Sequence, residues 1–434
     1  MSSDMGQAVE SAPPLKRVVS RWEILALVLN DVIGSGVYLL PAAAAAILGA
    51  ASLLAVIVAG LAVMLIVLCF AEASSHFESP GGAYLYTRHA FGTFVGFEVG
   101  WMAWLARVTS VASLSAGFAQ ALGYLWPGAD AGGGRIAAIA IPILALGAIN
   151  MLGVDLGART GALLAIVKIV PLLIVVVPGL FMISWSQLGH ISTPGSRGLG
   201  EAAMLLLFAY AGFENTPATA GEYKNPRRDV PFALLAQMAI VTLLYSLVQL
   251  VALGTLPDLA ASKTPLAEAA AAIFGPWGGW LLTAGAALSI LGTNSASVLH
   301  GPRYLYALAV DGFGPRALAA VHPRFRTPAV AIAVQTVIAL PLALTGSFVE
   351  LAALSVIARM ASYIGTAAAV PKLRRAFPDA RVRLPGGYLI PALALMLCLG
   401  LLASATRKNL IAGSIAIAVG ALLYSLRRRP AQKS

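Results

Sequence analysis

Apolar runs of about twenty residues recur along almost the whole chain, separated by short polar stretches. Each run is long enough to cross a hydrocarbon layer of roughly 30 Å. A chain crossing lipid must satisfy its backbone internally, so runs of this length predict helices. The pattern predicts spans near 22–48, 51–76, 96–126, 135–153, 158–184, 199–222, 230–255, 278–308, 328–345, 348–371, 387–406 and 409–426. Between them lie polar loops too short for a soluble domain. The expectation is one membrane domain, 22–426, between a polar leader (1–21) and a basic tail (427–434).

Two of these spans are interrupted in the same way. The first carries Asn30-Asp31-Val32-Ile33-Gly34-Ser35-Gly36 at its middle, with Pro41 soon after. The sixth carries Phe208-Ala209-Tyr210-Ala211-Gly212-Phe213-Glu214-Asn215-Thr216-Pro217. Unwinding a helix in lipid frees N–H and C=O groups, each costing several kcal/mol unless something satisfies it. One glycine-rich span can mark close helix packing. Two breaks at corresponding positions, both with polar residues, point instead to a transporter binding site. Five spans followed by five, each set opening on an interrupted helix, predict an internal repeat over about 22–184 and 199–371. An odd number of spans per repeat inverts the second copy in the membrane. Two further helices follow, over about 387–426.

Composition fits this picture. The chain has 434 residues, 59% hydrophobic and 11% charged, with a net charge of +11. Basicity of that size could mean a nucleic-acid partner, but the placement of the charges argues otherwise. With the amino terminus in the cytoplasm, only Arg135, Arg197, Lys263, Arg407 and Lys408 fall outside the cell, and Arg107, Lys168 and Arg359 fall within spans. The remaining Lys and Arg residues are cytoplasmic, which is the positive-inside rule. The reading is therefore a multi-pass protein of the cell (inner or plasma) membrane with both termini cytoplasmic and no nucleic-acid partner. Cys69 and Cys398 both lie in apolar runs and suit small buried hydrophobes. No Gly-x-x-x-x-Gly-Lys-Ser/Thr loop, metal motif or nucleophile–base constellation occurs, so neither an ATP-driven pump nor an enzyme is predicted, and no cofactor.

The breaks suggest how a ligand would be held. The half-helix beginning near Gly36 aims free amides and the positive end of its dipole at mid-membrane, and Gly34, Ser35 and Gly36 let a carboxylate approach the backbone. The half-helix ending near Tyr210 offers free carbonyls to an ammonium group. Together they predict a cradle for a zwitterion, over which Phe208 and Tyr210 could close. Charges deep in a membrane are functional candidates. Lys168 lies nine residues past Arg159, roughly 14 Å along a helix at 1.5 Å per residue. An ammonium there could replace a coupling cation and link substrate movement to protons, or form a permanent ion pair. Arg107 and Arg359 must find partners, with Asp31 and Glu214 the candidate anions. Glu214 could sense protons, favour a cationic substrate or end a helix. Asn294, Ser295 and Ser297 make the eighth span polar near its middle, for cavity or packing.

The order and spacing of these motifs resemble the amino acid–polyamine–organocation transporter superfamily. The resemblance covers about residues 22–426 and rests on four stretches: Gly34-Ser35-Gly36, Ser79-Pro80-Gly81-Gly82-Ala83-Tyr84, Phe208 to Glu214 with Gly221 to Pro231, and Pro302-Arg303 to Pro315. It implies a ten-helix inverted-repeat core with broken helices one and six, two peripheral helices, and alternating access. It implies that a substrate carboxylate meets the backbone around Ile33 to Gly36, and its amine the carbonyls near Phe208 to Ala211, with Gly212 and Glu214 beside them. Lys168 falls where sodium-independent members carry a fifth-span lysine. Asn294 stands about where an arginine exchanger of the superfamily has an aromatic lid, so close identity with that subgroup does not follow.

The function expected is secondary active transport of an amino acid, as proton symport or exchange, with protons and the bilayer as partners. A polyamine or cationic amine exchanger is the second reading, favoured by Glu214. A polyamine has no carboxylate and would leave the donors of the first break unused. A transceptor that senses amines without coupled transport is the third. The sequence leaves the oligomeric state open.

Overall fold

The computed structural model of the chain describes residues 19–77, 81–153, 158–188, 195–378 and 382–426. The expected leader up to residue 18, the tail from 427 and the Ser79-Pro80 part of the second motif lie outside these. The described residues are helical almost throughout, apart from one isolated bridge between Val19 and Tyr223. Lys224 N donates to Val19 O across it at 3.0 Å, so the start of the first span is tied to the exit of the sixth.

The first span is two helices, α1 (Arg21–Val32) and α2 (Ser35–Leu48). Ser20 opens α1, its amide donating to the Glu23 carboxylate at 2.8 Å, a capping arrangement that satisfies a donor the helix cannot. The chain leaves α1 at Ile33, in extended backbone (φ −76°, ψ 94°), and re-enters a helix after Gly34. α3 (Ser52–Ser75), α4 (Gly82–Phe91), α5 (Thr93–Leu122), α6 (Gly132–Met151) and α7 (Ala158–Gly179) complete the first half. The sixth span is α8 (Ser196–Tyr210), extended backbone at Ala211, and a 3₁₀ segment, Phe213–Glu222. Gly212 between them has φ +133°, which side-chain-bearing residues rarely adopt. Then come α9 (Pro226–Thr255), α10 (Pro265–Phe274), α11 (Pro276–Val310), α12 (Ala329–Thr345), α13 (Phe348–Ala376), α14 (Leu389–Ala403) and α15 (Arg407–Ser425).

Among the described residues, six helical stretches are long and apolar enough to cross a membrane, including Pro226–Thr255, Pro276–Val310 and Phe348–Ala376. The surface agrees: Ile141, Val337 and Leu422 are among many large apolar side chains left more than half exposed. A soluble protein buries such groups, whereas a helix facing lipid presents them. The polytopic membrane class read from the sequence therefore stands. Two helices depart from that reading, since α4 and α10 lie in stretches read as loops. Both are short, ten residues each. In α4 the buried Ala83, Tyr86 and Thr87 share one face, at helical spacing.

The core is organised around α5, which packs against α11 on one side and α13 on the other. α3 packs against α9 through small residues, with Ala55, Ala59 and Ala233 all fully buried, as helices in lipid do when dispersion rather than water drives their contact. α1 runs beside both α7 and α9, and α2 beside α8, which brings the two breaks together. α14 and α15 sit outside, and of α15 only Gly413 and Gly420 are buried. Both cysteines are buried and free. Where α3 ends, Glu72 is fully buried and paired with Arg374 of α13, whose Nη2 lies 2.7 Å from its Oε2. The same oxygen accepts from Leu384 N at 3.1 Å, so one carboxylate joins α3, α13 and the segment before α14.

Candidate functional site

The breaks face each other at van der Waals contact. A Cβ on Gly36 would come within 2.6 Å of Ala209 Cα, and one on Gly212 within 2.8 Å of Asp31 O. Both neighbours are backbone and neither can swing aside, so only glycine permits this approach. Between the breaks lies a cavity of about 20 Å³, room for little more than a water molecule. Gly34, Ser35 and Gly36 line it on one side and Phe208, Ala211 and Gly212 on the other. The first turn of α2 supplies amides without acceptors in their own helix, and the Ser35 hydroxyl beside them is buried without a partner.

Lys168 is fully buried on α7 and reaches the first break. Its Nζ donates to Asn30 O at 2.6 Å and to Thr293 Oγ1 on α11 at 2.8 Å. Thr293 and Ser289 in turn donate to Ile33 O, at 3.1 and 2.9 Å. The carbonyls freed where α1 unwinds are thus held by one ammonium and two hydroxyls. On the other side of the cradle, Tyr245 of α9 donates to Ala209 O at 3.0 Å and to Val32 O at 3.3 Å, one phenol serving both breaks.

The mid-membrane arginines have one partner in common. Arg107 Nη2 lies 2.7 Å from Glu214 Oε1, and Arg359 Nη1 binds the same oxygen. The second oxygen of Glu214 accepts from Gly212 N at 2.9 Å, so the carboxylate also caps the break. Arg359 extends to Ser110 Oγ at 2.5 Å and Ser355 Oγ at 3.3 Å. Removing one member of such a buried cluster costs about 3–5 kcal/mol, because it strands the others without water. Asp31 lines the central cavity with both arginines and receives Asn215 Nδ2 at 3.4 Å.

Of the residues singled out in the sequence, Gly34, Ser35, Gly36, Phe208, Ala211 and Gly212 come together around the cavity, and Lys168 braces it. Ile33 contributes its carbonyl to the brace. Ala209 is the floor on which Gly36 rests. Glu214 lines a smaller space beside the cavity, with Arg107, Tyr304 and Arg359. Tyr210 is turned away. Its hydroxyl donates to Val56 O at 3.0 Å and its ring packs against Tyr245. Two residues along a helix is a rotation of roughly 200°, so Phe208 and Tyr210 cannot both face one cavity. The same geometry governs α11, where Thr293, Ala296 and Ser297 line the cavity at i, i+3 and i+4. Asn294 points elsewhere, its Nδ2 donating to Ser115 Oγ at 2.8 Å. Sequence reasoning missed Thr293, Asn215 and Tyr245. A signal for the last existed in the polar stripe Gln237, Tyr245 and Gln249, one face of an otherwise apolar helix.

Comparison with known proteins gives the chain a family. The profile of the family described as amino acid permease matches residues 19–418. The chain is 26% identical to the branched-chain amino acid permease BcaP of Bacillus subtilis, over 99% of this chain and 97% of that one. It is 27% identical to the methylthioribose transporter of the same organism, over 97% and 95%. It is 31% identical to the serine/threonine exchanger SteT of that organism, over 83% and 84%. The chain belongs to the amino acid permease family, within the amino acid–polyamine–organocation transporters.

Proposed function

We propose that this protein is a sodium-independent secondary transporter of an amino acid, working by alternating access with Lys168 as its standing cation and its link to protons. The observation that carries the reading is the pair of facing breaks with the Lys168 ammonium on the Asn30 carbonyl. A helix start gives a carboxylate its amides, and Ser35 keeps an unpartnered hydroxyl beside them. On this reading the twelve predicted spans form two inverted repeats of five, with α14 and α15 outside them, and the substrate's carboxylate and amine lie across Gly34 to Gly36 and Phe208 to Ala211. Relatives named for branched-chain amino acids and for serine and threonine support an amino acid. The methylthioribose transporter among them shows that overall similarity does not choose the substrate.

The polyamine reading loses its main support. It relied on Glu214 to receive a cationic group, and both Arg107 and Arg359 already hold that carboxylate. The test is counterflow in proteoliposomes, with labelled amino acids and labelled putrescine and spermidine as the panel. Exchange of an amino acid, without exchange of either polyamine, is the expected result. Polyamine exchange that survives Ser35→Ala would overturn the carboxylate site.

A further inference from the structure

The charges gathered at the site do not balance. Lys168, Arg107 and Arg359 are buried cations, and Asp31 and Glu214 are the carboxylates that face them. Three positive groups against two negative ones leave a surplus cation in a medium where unbalanced charge is costly. A zwitterion brings no net charge and leaves that surplus in place. A substrate with a second carboxylate removes it.

The surplus also has an address. Arg359 is committed through all three of its nitrogens, to Glu214, Ser110 and Ser355. Arg107 gives Nη2 to Glu214, while its Nε is buried with no partner. Its side chain is 4% exposed, and it lines the central cavity together with Gly34 to Gly36. A buried guanidinium with an unpartnered Nε can give a carboxylate a further charge-assisted hydrogen bond.

Resting on the amino acid reading above, we infer that the substrate is an acidic amino acid. Arg107 receives its side-chain carboxylate while the first break receives its α-carboxylate. Arg359 positions Glu214 and thereby holds Arg107 in place. The substrate and the five charged side chains then sum to zero, and a proton carried on Lys168 accompanies the anion.

The test compares labelled L-glutamate and L-glutamine in counterflow, with L-leucine and L-serine alongside, using the full-length protein in liposomes. Glutamate and glutamine have nearly the same shape and differ by the charge. The wild type is expected to favour glutamate at least tenfold in kcat/KM. Arg107→Gln is expected to bring the two to parity, and Arg107→Lys, which keeps the charge and loses the Nε donor, to fall between. Should either variant fold poorly, the wild-type ratio alone decides. Glutamine, leucine or serine exchanging as well as glutamate would overturn this inference and leave amino acid transport standing. Exchange of no amino acid at all would overturn both.

Discussion

Lys168 and Gly36 show how single residues make a broken helix tolerable in lipid. Lys168 brings its ammonium to the Asn30 carbonyl, so a group freed by the α1 break is satisfied from within the chain. Gly36 lets α2 rest directly on the Ala209 backbone. Gly36→Ala puts a methyl within 2.6 Å of that Cα, so the two half-helices must separate. The expected outcome is loss of uptake by at least tenfold with the protein still folded and inserted, measured as proteoliposome counterflow. Activity near the wild type would mean that the breaks do not need this contact. Both residues were legible in the sequence, one as a charge deep in a span and the other within a Gly-Ser-Gly. Which arginine meets which acid was not, because the pairing of Glu214 with Arg107 and Arg359 joins residues 107 and 145 positions apart. Local pattern carries no information about such contacts. Tyr210 and Asn294 were misjudged for a simpler reason: proximity in sequence was read without the helical rotation that turns each away from its neighbours.

At the scale of elements, long apolar spans were the easiest to read, and their interruptions next. The extended residues Ile33 and Ala211 and the positive φ of Gly212 fall where glycine and polar residues cluster. The short helices α4 and α10 were read as loops because each is only ten residues long, too short to stand out as a span. Equally hidden was the tie between the end of α3 and α13. Glu72 has no exposure and takes hydrogen bonds from Arg374 and Leu384. Glu72→Ala strands the guanidinium and the amide together, at a cost of about 3 kcal/mol. The expected result is a melting temperature lowered by several degrees in detergent, with Arg374→Ala lowering it similarly and the double variant little further. Additive losses would show that the two residues act separately.

Across the whole molecule, the cavity is the feature that demands movement. About 20 Å³ between the breaks admits little more than a water, so on the proposed reading an amino acid fits there only after the helices around the breaks have moved apart. Such movement is what alternating access requires, and Glu214, joined to arginines on α5 and α13, must yield or travel with it. The most direct test is uptake of a labelled amino acid into sodium-free proteoliposomes, with and without an inward proton gradient, for the wild type and Lys168→Ala. The expected result is concentrative uptake by the wild type that rises with the gradient, and a Lys168→Ala protein at least tenfold slower and indifferent to it. Wild-type uptake that requires sodium, or a Lys168→Ala protein with unchanged rate and pH response, would contradict it.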